Sequence, residues 1–220
     1  TVTENDQWLV MDKPPLLPTL PKNPEDSPTA AAYMAARYPD TVERASPRRE
    51  AGIVNRLDNN TSGLLLVGRS AEVYEKLRKQ YMNHSVEKEY WALCEGVVGR
   101  QWIEGRVISD SGPSDRVGWE TGEGTRGRRA VSLIEPIAES GEFTLVRVVT
   151  RFGRRHQVRV QLASLGAPIY NDPVYGHSAD GFSGHFLWAR RITFPGFLPK
   201  GQRIPYEPVE VTSRHLPAQW

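Results

Sequence analysis

A single cysteine, Cys94, excludes an intramolecular disulfide and leaves no thiol pair to hold a metal. No apolar run is long enough to cross a membrane as a helix. The first residues lack the basic, then apolar, then small-residue order of a signal peptide, so the cytoplasm is the expected compartment. No nucleotide-binding or metal-binding motif is present, and no internal repeat or low-complexity segment, so no cofactor and no metal are expected. Net charge is also low, at +2.

What remains is an ordinary globular composition, with 39% hydrophobic and 25% charged residues in a 220-residue chain. The charge is unevenly spread. From Arg151 to the end, nine Lys/Arg face four acids, and arginine predominates. A planar guanidinium suits phosphate, which points to a polyanionic partner. A plain solvated basic face stands beside that reading.

The coarse pattern is α+β. Residues 7–11 read as a short strand, and the proline-rich 16–26 as a loop. Ser27-Pro28 offers a cap for an alanine-rich helix ending near Tyr38-Pro39, with 40–52 as polar linker. Leu64–Val67 is a buried strand, and Ser70 caps an amphipathic helix carrying Val73, Leu77 and Tyr81. Strands are predicted over 89–95, 143–150, 186–194 and 205–211, and a helix over 156–165 stopped by Gly166. Residues 109–127, with five glycines, read as one long loop. Without regular βαβ alternation, a largely antiparallel sheet is expected.

The chemistry-bearing stretch is Asn55-Arg56-Leu57-Asp58-Asn59-Asn60-Thr61-Ser62-Gly63-Leu64-Leu65-Leu66. On physical grounds alone, Asp58 beside Arg56 is more readily a turn residue with a surface ion pair, which contributes little. The stretch nevertheless resembles the signature of the RluA-like RNA pseudouridine synthases, His-Arg-Leu-Asp-x-x-Thr-Ser-Gly-Leu-Leu-Leu, departing from it at Asn55. A second block, Phe152-Gly153-Arg154-Arg155-His156-Gln157-Val158-Arg159 and Gly166-Ala167-Pro168-Ile169-Tyr170-Asn171-Asp172-Pro173-Val174-Tyr175-Gly176, resembles that family's C-terminal motif, with Phe152 in place of threonine. Lys88-Glu89-Tyr90-Trp91-Ala92 and Asp12-Lys13-Pro14 resemble two further family segments.

The resemblance implies a pseudouridine synthase fold, a bent mixed sheet with flanking helices and a central catalytic cleft, as one catalytic domain over 1–220 with no S4-type RNA-binding domain visible. It implies Asp58 as nucleophile, Tyr90 stacking on the target base, and Arg159 pairing with the aspartate. Asn55, Arg56, Arg154, Arg155, His156 and Gln157 are the implied RNA contacts. The expected partner is ribosomal or transfer RNA, handled by a monomer. Asp12-Lys13-Pro14 is read as structural support. Arg116, Arg126, Arg128 and Arg129, in or after the glycine-rich stretch, are candidates to close on RNA, against an ordinary hairpin tip. Two rivals are a catalytically silent RNA binder on the same scaffold and a hydrolase that excises uracil.

Overall fold

The computed structural model describes residues 1–23, 28–44, 50–109, 116–122, 126–178, 184–196 and 208–213. Its fold is α+β, with ten strands and four helices among the described residues. The packing resolves into two compact units. One comprises Thr1–Lys88 and the segment from Arg190; the other comprises Glu89–Ala189.

In the first unit, β1 (Thr3–Glu4) pairs antiparallel with β2 (Trp8–Lys13), and β2 with β3 (Ser62–Gly68). Both β2 and β3 are apolar on both faces, which is why neither shows polar alternation and both are buried nearly throughout. β9 (Leu187–Pro195) runs into this unit from Arg190 and pairs antiparallel with β10 (Pro208–Thr212). Helix α3 (Ala71–Met82) covers this part of the sheet. Ser70 Oγ accepts from the Val73 amide, and Val73, Tyr74 and Leu77 enter a core with Trp8, Val10, Leu64, Leu66 and Phe194.

Helix α1 (Ala30–Arg37) is capped by Thr29, whose Oγ1 accepts from the Ala32 amide at 3.0 Å. That replaces the expected Ser27-Pro28 cap; Ser27 lies outside the described residues. The cap moves because Thr29 has the extended backbone that a capping hydroxyl needs, while Pro28 precedes the turn. α2 (Pro39–Arg44) occupies part of the stretch expected to be linker: Pro39 cannot extend α1, but its fixed φ suits a first helical position.

The second unit carries β4 (Glu87–Glu95) from Glu89, with β5 (Gln101–Ser109), β6 (Val117–Glu120), β7 (Arg128–Ser140) and β8 (Phe143–Thr150). From β4 the order is β4, β8, β7, β5, β6. β7 and β8 form a hairpin over Gly141-Glu142, and Pro136 is accommodated at a register shift between Pro136 and Ala138. β6 lies inside the stretch expected to be one long loop. Its pairing with β5 needs Gly105, where a Cβ would sit 2.5 Å from the Glu120 carbonyl oxygen. α4 (Gln157–Ser164) ends before Gly166, which adopts φ 75°, and packs Val158 and Leu162 on Ala92, Ile134, Val146 and Val148. Residues 205–207 of the last expected strand lie outside the described residues. No described helix is long and apolar enough to cross a membrane.

Candidate active site

The Asp58 loop is fastened to its unit from three sides. Asn55 is buried, its Oδ1 accepting from the Leu66 amide at 2.8 Å and its Nδ2 donating to the Leu64 carbonyl at 3.2 Å. The side-chain amide thus serves β3 as a neighbouring strand's backbone would. Asn55, expected among RNA contacts, bonds β3 with both ends of its side-chain amide. Next, the Thr19 hydroxyl donates to the Leu57 carbonyl at 2.8 Å and accepts from the Leu57 amide at 3.2 Å. The Thr61 amide then closes a turn on the Asp58 carbonyl at 3.1 Å.

The third fastening is Lys13, whose Nζ is fully buried. It donates to the carbonyls of Pro14 at 2.9 Å, Leu17 at 2.7 Å and Asn59 at 3.0 Å, one for each ammonium proton. Burial pulls its pKa down to about 7, while the charges of Asp58 and Asp12 act in the opposite direction. Lys13 therefore ties the end of β2 to the residue after Asp58. Asp12 itself accepts a hydrogen bond from the Ser213 hydroxyl. With those anchors in place, Asp58 is half-buried at the mouth of β3 and Arg56 is exposed.

In the second unit, Tyr90 is half-buried on β4 and packs against the unit's core. Its strand neighbour Glu89 is held by Arg147 Nε at 2.8 Å and by Trp91 Nε1 at 3.2 Å. The block that leads into α4 is built on Thr150, Gln157 and His156. Gln157 is buried: Nε2 reaches Thr150 Oγ1 at 3.0 Å and Ser132 Oγ at 3.1 Å, while Oε1 accepts from the Arg154 amide at 3.2 Å. Gln157, also expected among RNA contacts, closes the loop before its helix. Thr150 Oγ1 also accepts from the Phe152 amide at 3.0 Å, so a hydroxyl two residues upstream serves where the motif's threonine is missing.

His156 caps α4 in the left-handed conformation, φ 52°, with no side-chain cap bond. A non-glycine residue there is strained, and such strain clusters at functional sites. Its Nδ1 lies 3.2 Å from the Tyr175 hydroxyl, and it is buried. Arg159, also buried, forks onto Asp172: Nε to Oδ2 and Nη2 to Oδ1, each at 2.7 Å. Burial pushes the Asp172 carboxyl up, but hydrogen bonds and charge from Arg159 outweigh it and hold the group below the usual carboxylate range. The Val174 amide donates to the same Oδ1 at 2.9 Å.

Tyr175 stacks under two guanidiniums, with Arg159 at 5.3 Å and Arg116 at 5.4 Å from the ring centroid. Its hydroxyl accepts from the Val117 amide at 2.7 Å, which pins β6 to the α4 side of this unit. Burial raises its pKa. Asp172 and Tyr175 were visible only as fixed letters of the Asp-x-x-Tyr-Gly spacing; their bonds to Arg159 and Val117 needed the fold. Arg154 is half-buried, with Nε on the Arg129 carbonyl at 2.9 Å, and Arg155 is exposed. Among the described residues no group of three or more His, Cys, Asp or Glu is placed to hold a metal.

The sequence family described as RNA pseudouridylate synthase matches residues 7–164. An uncharacterized RNA pseudouridine synthase of Zymomonas mobilis is 37% identical over 149 residues, 66% of this chain and 67% of that protein. The ribosomal large subunit pseudouridine synthase D of Pseudomonas aeruginosa is 34% identical over 178 residues, 80% of this chain and 52% of that protein. The chain spans about half the length of several curated relatives it matches. Human RNA Pseudouridylate Synthase Domain Containing 1 shares the fold, with a TM-score of 0.75 at 21% identity over 97% of this chain and 82% of that one. With the family match running from just before β2 to the end of α4, the chain belongs to the RNA pseudouridylate synthase family.

Proposed function

We propose that this protein isomerises a uridine of ribosomal or transfer RNA to pseudouridine, with Asp58 as the nucleophile. The observation that carries the reading is Asp58 itself, standing in the family signature on a loop held by Lys13, Thr19 and Asn55. Such anchoring is what a reacting carboxylate requires, since a loosely held group loses the benefit of orientation.

The reaction breaks the N1–C1′ bond, turns the uracil and forms a C5–C1′ bond. The C5 proton is released and N1 takes up a proton, so the exchange is neutral in charge and in electrons. Three routes use an ionised Asp58: addition to C1′, addition to the pyrimidine ring, or removal of the ribose C2′ proton toward a glycal. A base in folded RNA is hidden and has to be turned out and stacked, the task assigned to the half-buried ring of Tyr90. Arg159 is assigned the positive charge that keeps a carboxylate ionised. The exposed Arg56 and Arg155 and the half-buried Arg154 are assigned to phosphates. Asn55 and Gln157 take positioning roles, and His156 sets the turn into α4. The chain is proposed to act as a monomer, in the cytoplasm.

The test is tritium release from uridine C5 in bulk ribosomal and transfer RNA, with wild type and Asp58→Asn side by side. Release by the wild type alone supports both activity and nucleophile. Near-equal release by the variant removes Asp58 from the mechanism; free uracil as product identifies a hydrolase, and RNA binding without product a silent binder.

A further inference from the structure

Phe152 stands where the family motif has threonine, and it is a half-buried aromatic on a loop crowded with arginine. The guanidinium carbons of Arg129 and Arg154 lie 5.8 and 5.7 Å from its ring centroid. Arg154 Nε donates to the Arg129 carbonyl at 2.9 Å, so ring and both arginines form one cluster joining the start of β7 to the loop before α4. Arg151 and Arg155 flank Phe152 on that loop and are exposed, as is Arg128 beside Arg129. Arg106 Nη1 donates to the Gly127 carbonyl at 2.9 Å and adds a sixth guanidinium. Among the described residues, Glu104, paired with Arg129 at 2.7 Å, and Glu120, the register partner of Arg106, stand beside them.

A cation–π cluster accounts for the two arginines on the ring, but it does not call for an aromatic where the motif has threonine, amid further exposed arginines. Single-stranded RNA meets both features at once. Unstacked bases settle on aromatic rings and guanidinium planes, and arginine forks grip the phosphates between them. Threonine offers no such face.

We infer that Phe152, with Arg129 and Arg154, is a stacking platform for an unpaired base of the substrate RNA, and that Arg128, Arg151 and Arg155 hold phosphates of the same strand. This rests on the reading of the chain as an RNA-modifying enzyme and adds to it a contact that the family's threonine does not provide.

The experiment measures binding of a fluorescent single-stranded RNA, and C5 tritium release, for wild type, Phe152→Ala, Phe152→Thr and Phe152→Tyr, with melting temperatures alongside. Loss of one base stack weakens binding by roughly tenfold, so the alanine and threonine variants fall by that amount while tyrosine keeps wild-type affinity. KM rises in step with Kd, and kcat at saturating RNA carries the smaller change. Arg155→Gln lowers the slope of log affinity against log salt by about 0.7, the value for one single-strand phosphate contact. Unchanged affinity in the alanine and threonine variants overturns the platform, as does a loss that tyrosine fails to restore or that follows the melting temperature. If RNA binds with this dependence on Phe152 but no tritium is released, the platform stands and the isomerase reading falls. If tritium is released equally by wild type and Phe152→Ala at limiting RNA, the isomerase stands and the platform falls.

Discussion

Lys13 Nζ donates to the Asn59 carbonyl at 3.0 Å, joining residues 46 positions apart and placing a buried cation beside the residue that follows Asp58. The other two protons are taken by Pro14 and Leu17, so the whole ammonium serves to hold loops. Replacing it by methionine keeps the stem's volume and leaves three carbonyls short of a donor. We expect Lys13→Met to lose stability by about 1–3 kcal/mol in chemical denaturation. Turnover falls further than RNA affinity, because the Asp58 loop is no longer held in one geometry. A variant with wild-type kcat argues that Lys13 is dispensable for placing Asp58.

The pH dependence of the same pair has a definite sign. The folded pKa of Lys13, about 7, lies below its ordinary 10.5, so the unfolded chain binds more protons between those values. Stability from this group therefore rises with pH across that window, and the cost of the buried charge is fully present below about pH 7. Wild type should gain on Lys13→Met as pH rises from 7 to 10, in parallel urea titrations. A flat difference means the ammonium keeps its ordinary pKa.

Asp172 has the same sign in a lower pH window, because its folded pKa is also depressed. Its carboxyl is held below 3.8, so its contribution is present above the ordinary carboxylate pKa and is lost only as pH falls through the lower folded value. Asp172→Ala leaves the buried guanidinium of Arg159 without its fork and should cost about 3–5 kcal/mol. Arg159→Met combined with Asp172→Leu removes both charges and should recover much of that loss, while leaving turnover low if Arg159 also serves catalysis. Denaturation of the two variants beside wild type separates stability from chemistry, and full activity in the double variant removes Arg159 from the mechanism.

Tyr175→Phe deletes one hydroxyl that accepts from the Val117 amide and faces His156 Nδ1. We expect a loss of about 1 kcal/mol. The Val117 and Gly118 amides should exchange faster with solvent as β6 loosens. Unchanged exchange there shows that pairing with β5 alone holds β6.

Asn55→Ala removes an amide that stands in for a strand backbone, leaving the Leu66 N–H and the Leu64 carbonyl unpaired on that side. The expected cost is about 1–3 kcal/mol, with RNA affinity of the remaining folded protein unchanged. Weakened RNA binding at full folding would return Asn55 to the RNA contacts.

The candidate residues and several elements were legible from the letters alone. Ser70 before an amphipathic stretch forms α3 because a hydroxyl cap and an apolar stripe are local properties. Leu64 to Val67 and Phe143 to Thr150 are strands because their composition suits a pleated, buried surface. The strands β5 and β7 were not legible. Gln101–Ser109 buries only Ile103, Gly105 and Val107 in alternation, and Pro136 argues against a strand until the register shift beside it is seen. β6 was hidden among the glycines of 109–127, and its place beside β5 depends on a distant choice, Gly105 on β5, where Trp119 and Glu120 approach.

The sequence by itself determined membership of the family and the chemical identity of the residues offered to the reaction, because a motif fixes which side chains stand at which spacing. Only the tertiary structure decided what those side chains do at rest: that Asn55 and Gln157 bond backbone and loop, that Lys13 is wrapped in carbonyls, and that Arg159 grips Asp172. Buried polar groups must find partners, and those partners lie wherever the chain returns in space, at separations that no local spacing reveals.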